Sequence, residues 1–153
     1  MTERSFRGAF PHQHGDPRGL IERINAQLRE RIEETVEMAG LELMVERRRR
    51  LGRQPPESSS AADRREFEET ARELLAHLRD AFHGEITSEQ CAELERTEAG
   101  AEESERLLTG QALLARRLPD YWQRFEAYRA GYARSSLDAP ARKGGWLGRL
   151  LGS

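Results

Sequence analysis

Residues 17–51 read PRGLIERINAQLRERIEETVEMAGLELMVERRRRL, an unbroken stretch of strong helix formers. Asp16 supplies an N-cap before Pro17 at the first helical position, and Gly52 supplies a stop. Apolar residues recur at steps of three and four, namely Ile21, Ile24, Leu28, Ile32, Val36, Ala39 and Leu43. The mean step of about 3.67 residues predicts one nearly straight helix of roughly 50 Å.

A second helix is predicted after the polar linker formed by residues 52–60. Ser60 precedes Asp63 by three residues, which is a variant of the capping box, and Gly84 marks the end of the helix. The apolar positions follow a heptad pattern: Phe67, Ala71, Leu74, Leu78 and Ala81.

The clearest local signal starts a third helix. Thr87 and Gln90 form a capping box, and the helix is predicted to continue to Leu118. Pro119 then separates a shorter fourth helix, which is predicted to end near Ser135. Its aromatic residues have ordinary core spacing: Tyr121, Phe125, Tyr128 and Tyr132.

These elements predict an all-α protein. The expected architecture is an elongated antiparallel helical bundle of three long helices plus a shorter aromatic C-terminal helix. We expect a mobile N-terminal arm at residues 1–16, the helical bundle at 17–135 and a flexible C-terminal tail at 136–153. With 34% charged and 37% hydrophobic residues, the chain predicts a narrow core.

Composition and motifs exclude several classes of protein. The net charge of −2 argues against a uniformly basic nucleic-acid coat, and no apolar run approaches the 18 residues of a membrane span. The first residues contain no apolar signal region, which favours a cytoplasmic location. Cys91 is the only cysteine, and the sequence contains no phosphate-loop, nucleophile-elbow or zinc-protease motif. We therefore expect no catalytic residue, no cofactor and no metal site.

The strongest charge feature is the run at 47–50. If the three long helices alternate in direction, the end of the first, the start of the second and the end of the third meet at one end of the bundle. That end defines a predicted basic pole, which consists of Arg47, Arg48, Arg49, Arg50, Arg53, Arg64, Arg65, Arg116 and Arg117. Such a pole can bind phosphates or simply be solvated.

Both ends of the chain carry residues suited to partner binding. The tail places basic residues beside apolar ones, and the candidate partner-binding group consists of Trp146, Leu147, Arg149, Leu150 and Leu151. Over some eight residues it resembles the membrane-targeting tails of MinD-type ATPases, and it also resembles peptides that dock in a partner's groove. It can alternatively fold back onto the bundle. The N-terminal arm contributes Arg4, Phe6, Arg7 and Phe10.

The sequence favours a non-catalytic helical adaptor or scaffold that presents its terminal peptides to a protein partner. Its layout of arm, core and tryptophan tail is similar to that of adaptors that tether cargo to ParA/MinD-type positioning ATPases. The wide apolar stripe of the first helix predicts a homodimer, and the tail allows peripheral membrane contact without a transmembrane span. The alternative is a nucleic-acid-associated protein that binds phosphates through the basic pole.

Overall fold

The computed structural model describes residues 17–138, where all regular structure is helical and no strand occurs. The helices are α1 (Pro17–Arg50), α2 (Ala61–His83), α3 (Ser88–Glu98), α4 (Glu103–Arg117) and α5 (Tyr121–Leu137). None of these helices combines the length and the apolar character that a bilayer span requires.

Most predicted boundaries are confirmed. Helix α1 starts at Pro17, and α2 stops immediately before Gly84. The side chain of Thr87 accepts a hydrogen bond from the backbone of Gln90, and the Gln90 side chain accepts one from the backbone of Thr87. The capping box is therefore complete, because two otherwise unpaired backbone donors are satisfied.

The predicted third helix is instead two helices, and the prediction of three long helices is wrong at this point. Helix α3 ends at Glu98, and α4 begins at Glu103 after a turn in which Gly100 has a φ of +83°. A left-handed backbone conformation is easily adopted by glycine and interrupts a helix. Gly100 therefore ends α3, whereas the sequence predicted an uninterrupted helix to Leu118.

The helices share one hydrophobic core. Helix α1 contributes Ile32, Val36 and Ala39, which the sequence placed on its apolar stripe. Leu43, farther along the same stripe, is also buried. An ideal Cβ on Gly40 would lie 3.4 Å from Ala71, so α1 and α2 approach closely there. The first part of the stripe differs from the prediction, because Ile21 and Ile24 are exposed.

Helix α5 closes this core with its aromatic side chains. Tyr121 stacks on Phe82 of α2 at a ring-centroid distance of 4.6 Å, and Tyr128 meets the same ring edge-on at 5.2 Å. Tyr121 and Phe125 are fully buried. The core interpretation of the aromatic stripe is confirmed, and α5 extends two residues beyond the predicted Ser135.

Candidate functional site

The centre of the predicted basic pole is a buried ion-pair cluster. Arg48 is only 5% exposed, and its Nη2 donates to Asp63 Oδ1 at 2.7 Å and to Glu66 Oε2 at 2.6 Å. The other Asp63 oxygen accepts a bond from the backbone of Glu57 at 2.7 Å. These hydrogen bonds hold the pKa of Asp63 below its ordinary value, and the bond from Arg48 has the largest effect. Arg48 therefore clamps the end of α1 to the start of α2.

The neighbouring arginines also bind carboxylates of the same chain. Arg49 and Arg50 both donate to Glu46, at 2.6 Å and 3.2 Å, and these hydrogen bonds lower the pKa of Glu46 to about 2. Arg50 additionally donates to the carbonyl of Leu137 at 3.2 Å and to Asp138 at 3.3 Å. The end of α5 is thereby fixed beside the end of α1.

A polar groove lies between α1 and α2 at this end. Arg47 donates to Thr70 at 3.4 Å and to the hydroxyl of Ser136, and Arg53 lies 4.0 Å from Glu66. The groove has a volume of about 430 Å³. Its charged lining consists of Arg47, Arg48, Arg53, Arg65, Glu66, Glu69 and Glu73. Four arginines thus face three glutamates, so the local charge is close to neutral.

The structure brings together only part of the predicted pole. Arg64 and Arg65 lie exposed on the first turn of α2, and within residues 17–138 no carboxylate forms an ion pair with either. Arg116 instead donates to Asn25 near the start of α1 at 3.1 Å, and Arg117 to Glu93 of α3 at 2.6 Å. Both are separated from the pole because the break at residue 100 redirects α4 toward the other end of α1.

A buried polar cluster, which the sequence did not predict, joins α2, α3 and α4. Glu98 is only 3% exposed and forms an ion pair with Arg79. Burial raises the pKa of the Glu98 carboxyl, and the nearby positive charge of Arg79 opposes that shift. Tyr121 donates to the fully buried Gln111 at 2.6 Å. The cluster includes buried nitrogens without a partner among the described residues, on Arg79, His83, Arg106 and Gln111.

Gly110 makes room for this cluster. An ideal Cβ at position 110 would lie 1.9 Å from Glu98 Oε1, which is far inside van der Waals contact. The adjacent Gln111 is also fully buried. The adjacent Gly110 and Gln111 were the feature of the sequence that could have indicated a polar cluster in the interior.

The outward face of α1 consists of Met38, Leu41 and Val45. These residues follow at steps of three and four, so they project from one side of the helix. Their exposed fractions are 67%, 47% and 39%. Arg129 of α5 lies 3.8 Å from Glu42, so α5 borders this face. An apolar group on a highly charged surface is typical of a contact surface.

The predicted terminal sites lie outside the described residues. These are the tail group of Trp146, Leu147, Arg149, Leu150 and Leu151, and the arm group of Arg4, Phe6, Arg7 and Phe10. Within 17–138, no cluster of three or more histidine, cysteine or acidic side chains has the geometry of a metal site. His77 packs against the ring of Tyr132 with centroids 4.9 Å apart.

No known protein family, curated protein or solved structure matches this chain at a significant level.

Proposed function

We propose that the chain is a cytoplasmic, non-catalytic helical adaptor that binds a protein partner through its C-terminal tail. The observation that carries this proposal is the contrast between two surfaces. The basic residues at 47–50 are largely engaged by carboxylates of the same chain, whereas the outward face of α1 exposes apolar side chains. A chain that neutralises its own arginines and exposes aliphatic groups is better suited to polypeptide contacts than to phosphate contacts.

The contacts between helices support an elongated antiparallel bundle as the scaffold. Arg48, at the end of α1, binds Asp63 at the start of α2, and Gly40 approaches Ala71 farther along both helices. This register is expected for two antiparallel helices joined by a short linker. A scaffold of this kind fixes the positions of residues 17 and 138, from which the two terminal segments continue. Tethering to a ParA/MinD-type ATPase or to an anionic membrane is a specific form of the same proposal.

The alternative function is phosphate binding at the basic pole. Arg64 and Arg65 favour it, because both are exposed and have no carboxylate partner among residues 17–138. Glu66, Glu69 and Glu73 oppose it, because they line the same groove. The expected signature is duplex DNA binding that weakens steeply with salt.

A quantitative capture experiment tests the adaptor proposal. The intact chain and its Trp146→Ala variant are immobilised at equal density and incubated with cytoplasmic extract, and specifically retained proteins are quantified by mass spectrometry. A single tryptophan often dominates a peptide interface, so we expect most specific binding to be lost in the variant. Helical content and melting temperature are measured in parallel. Equal retention by both chains, with both folded, would contradict tail-mediated binding.

A further inference from the structure

The tail begins beside the end of α1. Arg50 binds both the Leu137 carbonyl and the Asp138 carboxylate, so the last described residues of α5 are fixed at this point. Residues 139–153 continue from there. Val45 lies five residues before Arg50 on α1, which is about 8 Å along the helix axis, and Leu41 lies about 14 Å away.

The tail is long enough to place Trp146 on the outward face. Trp146 lies eight residues beyond Asp138 in the sequence, and eight extended residues span at most roughly 26 Å. The path to Leu41 combines about 14 Å along the helix with a passage around a helix 10–12 Å in diameter, roughly 20 Å in total. We infer that the segment 139–153 docks on the outward face of its own α1, with Trp146 against Leu41 and Val45.

Charge and size favour this occupant. Glu34 and Glu37 lie beyond Met38 on α1, and within 17–138 neither has an ion-pair partner. If the tail runs from Arg50 toward the start of α1, Arg149 lies three residues farther along than Trp146 and therefore closer to these two carboxylates. The face consists of three partly exposed side chains, which fall far short of the ~800 Å² per partner of a stable dimer interface. One tryptophan with its leucine neighbours matches a face of this size.

Tethering makes even a weak contact effective. A short linker gives an effective concentration of about 1 mM, so a contact with a dissociation constant of about 0.5 mM would keep roughly two thirds of the molecules docked. This contact goes beyond the proposed adaptor function and does not require it, because it forms in the isolated chain. A partner that binds Trp146 would have to displace the tail from α1.

The test measures how easily acrylamide quenches Trp146 fluorescence in the full chain. Subtracting the signal of the Trp146→Phe variant removes the contribution of Trp122. We expect Leu41→Glu to raise the quenching constant of Trp146 about threefold, because the docked fraction is lost. Leu20→Glu is a matched control: Leu20 is equally exposed, at 47%, but lies beyond the reach of the tail. Arg149→Glu serves as a second variant that leaves α1 unchanged, and it should also raise quenching.

Three results would overturn the inference. The first is quenching of Trp146 in the full chain that is as strong as in a peptide of residues 139–153. The second is an equal effect of Leu20→Glu and Leu41→Glu on quenching while circular dichroism shows that both variants are folded. The third is protection of Trp146 from quenching that disappears when the protein is diluted from about 50 µM to about 1 µM, a range that brackets a weak dimer. This result would assign the outward face to a second copy of the chain. Protection at both concentrations, lost in Leu41→Glu and Arg149→Glu alone, supports docking within one chain.

Discussion

Replacing Gly110 with alanine should destabilise the fold, although alanine is the better helix former. The new Cβ would lie 1.9 Å from Glu98 Oε1, whereas non-bonded heavy atoms rest about 3.5 Å apart. The carboxylate must therefore move by more than about 1 Å, which breaks its ion pair with Arg79. Breaking a buried ion pair costs about 3–5 kcal/mol, and the helix gains about 1 kcal/mol from alanine. Because Arg79 is partly exposed, we expect a net loss of about 2–3 kcal/mol.

Urea denaturation followed by circular dichroism measures this loss, which should also lower the melting temperature by about 5–10 °C. Gly131→Ala is the matched control, since no neighbouring atom lies within 4 Å of its ideal Cβ, and it should stabilise α5 by about 0.5–1 kcal/mol. In a Glu98→Ala background the clash is absent, so Gly110→Ala should become stabilising. If Gly110→Ala stabilises the unmodified chain as much as Gly131→Ala does, the reasoning about this cluster is wrong.

Three further outcomes are expected. Because burial raises the pKa of Glu98, the contribution of Glu98 to stability should decline as the pH rises above the ordinary pKa of 4.5. Glu98→Gln should flatten the pH–stability profile in this range. An unchanged slope in this variant would contradict the prediction. The pKa of Glu46 is lowered to about 2, so the stability that Glu46 contributes at neutral pH should be lost between pH 4.5 and 2, and in Glu46→Gln acid unfolding should show less of that loss. If duplex DNA binds at the basic pole, replacing Arg64 and Arg65 with serine should flatten the salt slope by about two, while Arg116→Ser leaves it unchanged; no measurable binding at low salt would exclude that alternative.

Local signals made most of the helices predictable. Pro17, Gly84 and the capping box of Thr87 and Gln90 each act through the backbone within a few residues, so their effect can be read without knowledge of the neighbours. The break at Gly100 was missed because a glycine within a helical pattern either terminates the helix or merely weakens it, and the tertiary contacts decide between these outcomes.

The side-chain chemistry was less predictable, for the same reason. A run of four arginines can be solvated, bind phosphate or pair with acids, and only the register of α1 against α2 buries Arg48 against Asp63 and Glu66. The sequence placed Arg116 in the basic pole because it predicted one continuous third helix, whereas in the structure Arg116 donates to Asn25. Glu98 could not be predicted as buried, because its position depends on the space left by Gly110 on another helix.

The Arg48 clamp also has a consequence for the order in which the chain assembles. It links residues that are 15 and 18 positions apart, so the closing loop is short and its entropic cost is small. The contacts of Arg47 with Ser136 and of Arg50 with Asp138 close loops of 89 and 88 residues. Local contacts that form first lower the cost of later, more distant ones. We therefore expect α1 and α2 to form the folding nucleus, with α5 joining last and exchanging its amide hydrogens fastest.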